Sequence, residues 1–119
     1  MAEQRWVGGV AAAAVAAFAD MTGETAGAVA TQRPRVVRAV RGSVETTAQI
    51  AVQMTDGLLT APVWPATGNA SFVSAQNSPF LDDSLNIVVP GGWRLQWTTP
   101  TVGAFAREIA VLCEDRSGS

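Results

Sequence analysis

The sequence predicts a mainly β protein, an antiparallel β-sandwich or barrel carrying an N-terminal Ala-rich helix or extended arm. Three observations predict it. Apolar and polar residues alternate through several short runs, Gly, Pro, Asn and Asp cluster between those runs, and 119 residues suffice for one core without metals or disulfides.

The clearest run is Val44–Met54, where Val44, Thr46, Ala48, Ile50, Val52 and Met54 fall on one side and Glu45, Thr47, Gln49, Ala51 and Gln53 on the other. A residue period of two is that of a strand with one buried face. Asp56-Gly57 is a favoured hairpin pair, and Leu58–Trp64 returns as the partner strand before Pro62 and Pro65 end it. Leu85, Ile87 and Val89 alternate with Asn86 and Val88, Pro90-Gly91-Gly92 turns the chain, and Trp93, Leu95 and Trp97 alternate with Arg94, Gln96 and Thr98, which predicts a second hairpin. A last strand, rich in β-branched residues, runs through 105–113 after a turn at Pro100–Gly103. Strands are thus expected near 36–41, 44–54, 58–64, 70–74, 85–89, 93–99 and 105–113.

The N-terminal third reads differently. Val7, Val10, Ala14, Ala17, Phe18 and Met21 recur at three- and four-residue intervals, predicting a short helix from about Val10 to Asp20, stopped by Gly23. Residues 22–34 are small and polar without a period, and Pro34 extends its predecessor. Two parts are therefore expected: an arm with a short helix, 1–34, and a β domain, 35–119, whose strands close a core alone. The apolar run Trp6–Ala19 with Ala17-Phe18-Ala19 imitates an export signal, but it is Ala-rich rather than Leu-rich, and no export signal or membrane partner is expected. The run also falls short of the roughly 20 residues that span a bilayer.

Composition narrows the chemistry. There is no His, Lys or Tyr, so the commonest metal ligand and three usual proton carriers are missing, and Ser/His/Asp triads are excluded. No phosphate-cradling loop, HExxH or Cys-x-x-Cys occurs. No catalytic residue, metal, cofactor or small-molecule substrate is expected. The single Cys113, inside Ile109-Ala110-Val111-Leu112-Cys113, reads as core filler rather than a nucleophile. Asp82-Asp83-Ser84 with Asn86 offers oxygen ligands but lacks an EF-hand spacing and reads as a surface turn. Asn69-Ala70-Ser71 matches a glycosylation acceptor by a pattern common by chance. Trp93 and Trp97 share a strand face with Leu95, which favours core packing over ligand stacking.

Charge and apolar content point outward instead. With 48% hydrophobic and 15% charged residues the chain has less charge than the roughly 25% of ordinary domains. Part of its exterior is therefore expected to be covered by partners. Residues 1–41 carry five arginines and three acids (+2), and residues 42–119 three arginines and seven acids (−4). The cluster Arg33, Arg35, Arg38 and Arg41 could grip phosphates, but an acidic chain with a basic arm suits contact between protein subunits better. Trp6, Val10, Phe18, Arg33, Arg35, Arg38 and Arg41 are accordingly the expected subunit-contact residues.

With its Ala-rich arm 1–34 and compact β body with tight turns such as Val89-Pro90-Gly91-Gly92-Trp93, the chain resembles the small accessory virion proteins of tailed bacteriophages and gene-transfer agents, especially head decoration or cement proteins. The resemblance is one of pattern along the chain and transfers no functional residue. It implies a non-catalytic subunit of a virion, assembled in the bacterial cytoplasm, whose partners are further copies of itself or major capsid and other virion proteins. A phage tail or connector subunit, and a carbohydrate-binding or adhesion module exposing Trp64 or Trp93, are the alternatives.

Overall fold

A computed structural model describes residues 4–11, 15–44, 49–64, 70–71, 78–99 and 107–115. These form β1 (Gln4–Ala11), β2 (Val15–Asp20), the one-turn helix α1 (Ala26–Val29), β3 (Arg35–Val44), β4 (Gln49–Thr55), β5 (Thr60–Trp64), β6 (Ala70–Ser71), β7 (Ser78–Asp82), β8 (Ile87–Val89), β9 (Arg94–Thr99) and β10 (Arg107–Asp115). The expected strand stretches at 45–48, 72–74 and 105–106, the turn at Pro100–Gly103 and the acceptor Asn69 lie outside the described residues.

All described pairing is antiparallel, in two sheets ordered β1-β10-β3-β7 and β2-β9-β4-β5, with β8 on β3 and β6 on β4. Counting only the eight longer strands in chain order, the sheets read 1-8-3-6 and 2-7-4-5. That is the strand order of a jelly roll, a sandwich built from two Greek keys. The predicted antiparallel sandwich is therefore the observed architecture.

Each sheet contributes alternate residues to one core. Val37, Val40, Ile109, Val111 and Cys113 come from the first sheet, and Ile50, Val52, Val63, Leu95 and Trp97 from the second, with Met21 and Val89 at one end. The Asp56-Gly57 hairpin forms as expected. Gly57 takes φ +101°, a region that L side chains rarely adopt, and the Asp56 side chain accepts from the Leu58 and Leu59 amides at 2.8 and 2.7 Å.

Three expectations are corrected. The helix expected over 10–20 is not found among the described residues, since 10–11 and 15–20 are strand; α1 is elsewhere, capped by Thr25, whose hydroxyl accepts from the Ala28 amide. The segment instead supplies β1 and β2, one at the edge of each sheet. Alanine's helix preference amounts to less than about 1 kcal/mol per residue. Against it stands continuous pairing of β1 with β10, from Gln4 opposite Glu114 to Ala11 opposite Arg107. Gly9 adds a packing reason, since a Cβ there would lie 2.7 Å from Trp97 Nε1. The backbone has to be bare where the two sheets meet.

The division at Pro34 is the second correction. β1 and β2 are hydrogen-bonded into both sheets, so the fold does not separate into an arm and a self-sufficient body. The third concerns Pro90-Gly91-Gly92. β8 pairs with β3 in the first sheet and β9 with β2 and β4 in the second, so this turn carries the chain between sheets rather than closing a hairpin. Alternation reports which face of a strand is buried, and both arrangements bury the same face.

Candidate functional site

The outer face of the first sheet follows from its register. Gly8 lies opposite Ala110, Ala110 opposite Arg41, and Arg41 opposite Leu81, so these four form one row across four strands. A parallel row sets Trp6 opposite Leu112, and a third sets Val10 opposite Glu108. Because residues two apart on a strand share a face, Trp6, Gly8 and Val10 all point outward from β1 while Val7 points into the core. The middle row has no side chain at Gly8 and a single methyl at Ala110. The result is a trough of about 970 Å³ whose walls include Trp6, Val10, Arg41, Leu81 and Glu108. Its volume lies at the upper end of the roughly 300–1,000 Å³ of ligand pockets.

The walls are apolar and wet. Trp6 is 40% exposed, Leu81 62% and Val10 74%. The Arg41 guanidinium reaches across β10 to lie 4.0 Å from the centre of the Trp6 ring, a cation–π contact that holds the indole and leaves the cation at the trough. Among the described residues Arg41 has no carboxylate partner. A second exposed apolar group sits on the other sheet, where Leu58 and Leu59 at the tip of the β4–β5 hairpin are 93% and 64% exposed.

The expected contact residues divide among several places. Trp6, Val10 and Arg41 come together in the trough. Phe18 is exposed on β2, at the edge of the other sheet. Arg33 borders a smaller hollow of about 300 Å³ with Arg5, Gln32 and Asp115. Arg38 is paired, its Nε donating to Glu114 Oε2 at 2.7 Å and its Nη1 to Asn86 Oδ1 at 2.8 Å. Arg35 is a correction: it is 1% exposed, so its guanidinium is turned into the fold rather than offered at the surface. Its Nη1 and Nη2 donate to Glu24 Oε2 and Oε1 at 3.1 and 2.9 Å, and Nη2 also donates to the Trp93 carbonyl. Glu24 Oε1 accepts the Leu95 amide as well, so the pair ties the loop after β2 to β3 and β9. The basic cluster of the sequence is thus dispersed among a buried ion pair, a surface ion pair, the smaller hollow and the trough.

Other candidate features resolve similarly. Asp82 Oδ2 accepts from Trp64 Nε1 at 3.0 Å and Oδ1 from the amide and hydroxyl of Ser84, and these bonds, Ser84's first, hold its carboxyl below the usual range. Among the described residues no three His, Cys, Asp or Glu side chains are grouped to hold a metal. Trp97 is core and Trp93 packs against the core, as their strand alternation predicts, and Trp64 is buried as well. Cys113 is fully buried, and desolvation pushes its thiol up to about 11.

Leu81, Gly8, Ala110, Glu108 and the Leu58-Leu59 tip belong to these surfaces and escaped sequence reasoning. Leu81 lies on β7, a strand with too short an alternation to detect. The signal for β1 was present, since Trp6, Gly8 and Val10 have a period of two, but the alanines after it suggested a helix. No family model matches the chain, and no curated protein matches its sequence.

Proposed function

We propose that the chain is a non-catalytic structural virion protein, a capsid decoration or cement subunit that stabilises a particle by contacts with copies of itself or with other virion proteins. The observation that carries this reading is the trough on the first sheet. Three large apolar side chains, and a guanidinium with no carboxylate partner among the described residues, line a concave face in a chain with little charge to spare. Apolar area of this kind is stabilised when a partner removes it from water. The jelly-roll order adds an analogy of fold alone, because that architecture recurs in viral capsid and lectin domains. Labelling the protein in purified particles and locating it by electron microscopy tests the reading: regular density on the outer capsid surface supports it, and a protein free of any particle defeats it.

A tail or connector subunit is favoured by one specific observation, the edge strands β5 and β7, which can extend a sheet into a neighbour. The same micrographs separate it, as density at a tail or portal rather than over the capsid. The adhesion reading placed its ligand on Trp64 or Trp93. Neither ring forms an open platform, so it now rests on Trp6, and quenching of fluorescence by sugars in wild type but not in Trp6→Leu is its test.

A further inference from the structure

The molecule carries an exposed apolar projection and an exposed apolar hollow, on different sheets. The projection is the β4–β5 turn, where Asp56 folds the chain back by accepting the Leu58 and Leu59 amides and leaves both leucines exposed to water. The hollow is the trough between Trp6, Val10 and Leu81. Tip and trough belong to opposite sheets, so one molecule does not satisfy its own contact, and both groups remain exposed.

We propose that the Leu58-Leu59 tip of one molecule seats in the Trp6/Val10/Leu81 trough of a second copy, joining subunits head to tail. This deepens the structural-subunit reading and rests on it. Charge supports the choice of occupant. The Asp56 carboxylate stands beside the two leucines, kept ionised by the Leu59 and Leu58 amides, and Arg41 stands in the trough with only the Trp6 ring as partner among the described residues. Glu108 lies at the other end of the trough, beside Val10, and repels Asp56 from there. The two charges therefore fix which way round the tip enters, with Asp56 at the Arg41 end. The rigidity of the turn favours such a contact as well, because Gly57 and the Asp56 bonds preset the tip's shape and little ordering remains for association. A contact between two different patches of one chain is heterologous, so it generates rings if the rotation closes and filaments if it does not.

The experiment uses two variants of the full chain, each spoiling one half of the contact at a solvent-exposed position. Leu58→Asp/Leu59→Asp removes the tip, and Val10→Asp, with Leu81→Asp as an independent second choice, spoils the trough. Circular dichroism first establishes that each is folded. Sedimentation equilibrium is then expected to show concentration-dependent self-association for the wild type and a loss of about tenfold or more in association constant for each variant, the effect of losing a buried apolar anchor. Mixing the two variants is expected to restore a complex that stops at one copy of each, because one intact tip meets one intact trough. Self-association by the tip variant overturns the proposal while leaving a self-assembling structural subunit in place, and indicates pairing of troughs face to face. Failure of the mixture to form a one-to-one complex also overturns it, as does a wild type that stays monomeric. In those cases the virion reading still stands or falls on where the protein is found in particles.

Discussion

Glu24 and Arg35 face each other inside the protein as a two-pronged ion pair, with side chains only 3% and 1% exposed. The pair fastens the loop after β2 to the chain around β9, because Glu24 also accepts from the Leu95 amide and Arg35 donates to the Trp93 carbonyl. Breaking a buried pair from one side strands a charge. Glu24→Ala is expected to lose about 3–5 kcal/mol in urea unfolding, whereas replacing both partners with Leu and Met is expected to lose less, the remaining loss coming from the Leu95 amide and Trp93 carbonyl deprived of their side-chain partners. Equal losses for the single and double variants would show that the ion pair does not organise this loop.

Deleting residues 1–32 follows from the same region. It removes β1, β2 and Glu24, leaving β10 and β9 with open edges and Arg35 buried without its carboxylate. The truncated chain is expected to unfold or aggregate, read as loss of the β signal in circular dichroism. A soluble, folded 33–119 fragment would restore the division into arm and body.

Gly9 and Gly27 make a matched pair of probes. An added Cβ at Gly9 meets the Trp97 indole at 2.7 and 2.9 Å, while at Gly27, inside α1, it meets nothing within 4 Å. Gly9→Ala is therefore expected to cost about 1–3 kcal/mol by overpacking. Gly27→Ala is expected to gain about 0.4–1 kcal/mol through the unfolded chain's lost freedom. Thermal melts of the two variants check both signs.

Asp82 connects acidity to the contact between sheets, since Trp64 is on β5 and Asp82 on β7. Its carboxyl titrates lower in the folded protein than in the unfolded chain, where the ordinary value is 3.8. The stabilisation is thus present above that value and is lost as pH falls through the lower, folded one. Asp82→Asn is expected to flatten the acid limb of stability against pH, measured by urea midpoints from pH 6 to pH 2. An unchanged acid limb would place the titrating group elsewhere.

Cys113 offers a chemical check on the core. With its thiol pushed up to about 11 by burial, it is expected to resist disulfide reagents at neutral pH until urea unfolds the chain. Cys113→Ser is expected to cost about 1–3 kcal/mol, by burying a hydroxyl in an apolar site, without altering association. Rapid labelling of the folded protein would contradict the packing of β10.

Residue alternation along the chain is enough to specify an antiparallel β protein with one core. The alternations at Ile50–Met54, Trp93–Trp97 and through Cys113, and the Asp56-Gly57 turn, are local features whose physics lies within a few residues. Composition also determined that no histidine chemistry is open to the protein. The tertiary structure decided the rest. Whether Val10–Ala11 and Val15–Asp20 are helix or strand depended on β10 and β9 offering edges and on Trp97 needing a bare Gly9 beside it. Whether Pro90-Gly91-Gly92 closes a hairpin or changes sheets depended on β3 lying ready for β8. The trough too exists only because β1, β10, β3 and β7, far apart in the chain, bring Trp6, Ala110, Arg41 and Leu81 side by side. Partner choice among strands is a long-range competition for edges and packing volume, and a pattern of alternating residues carries the same information whichever partner wins.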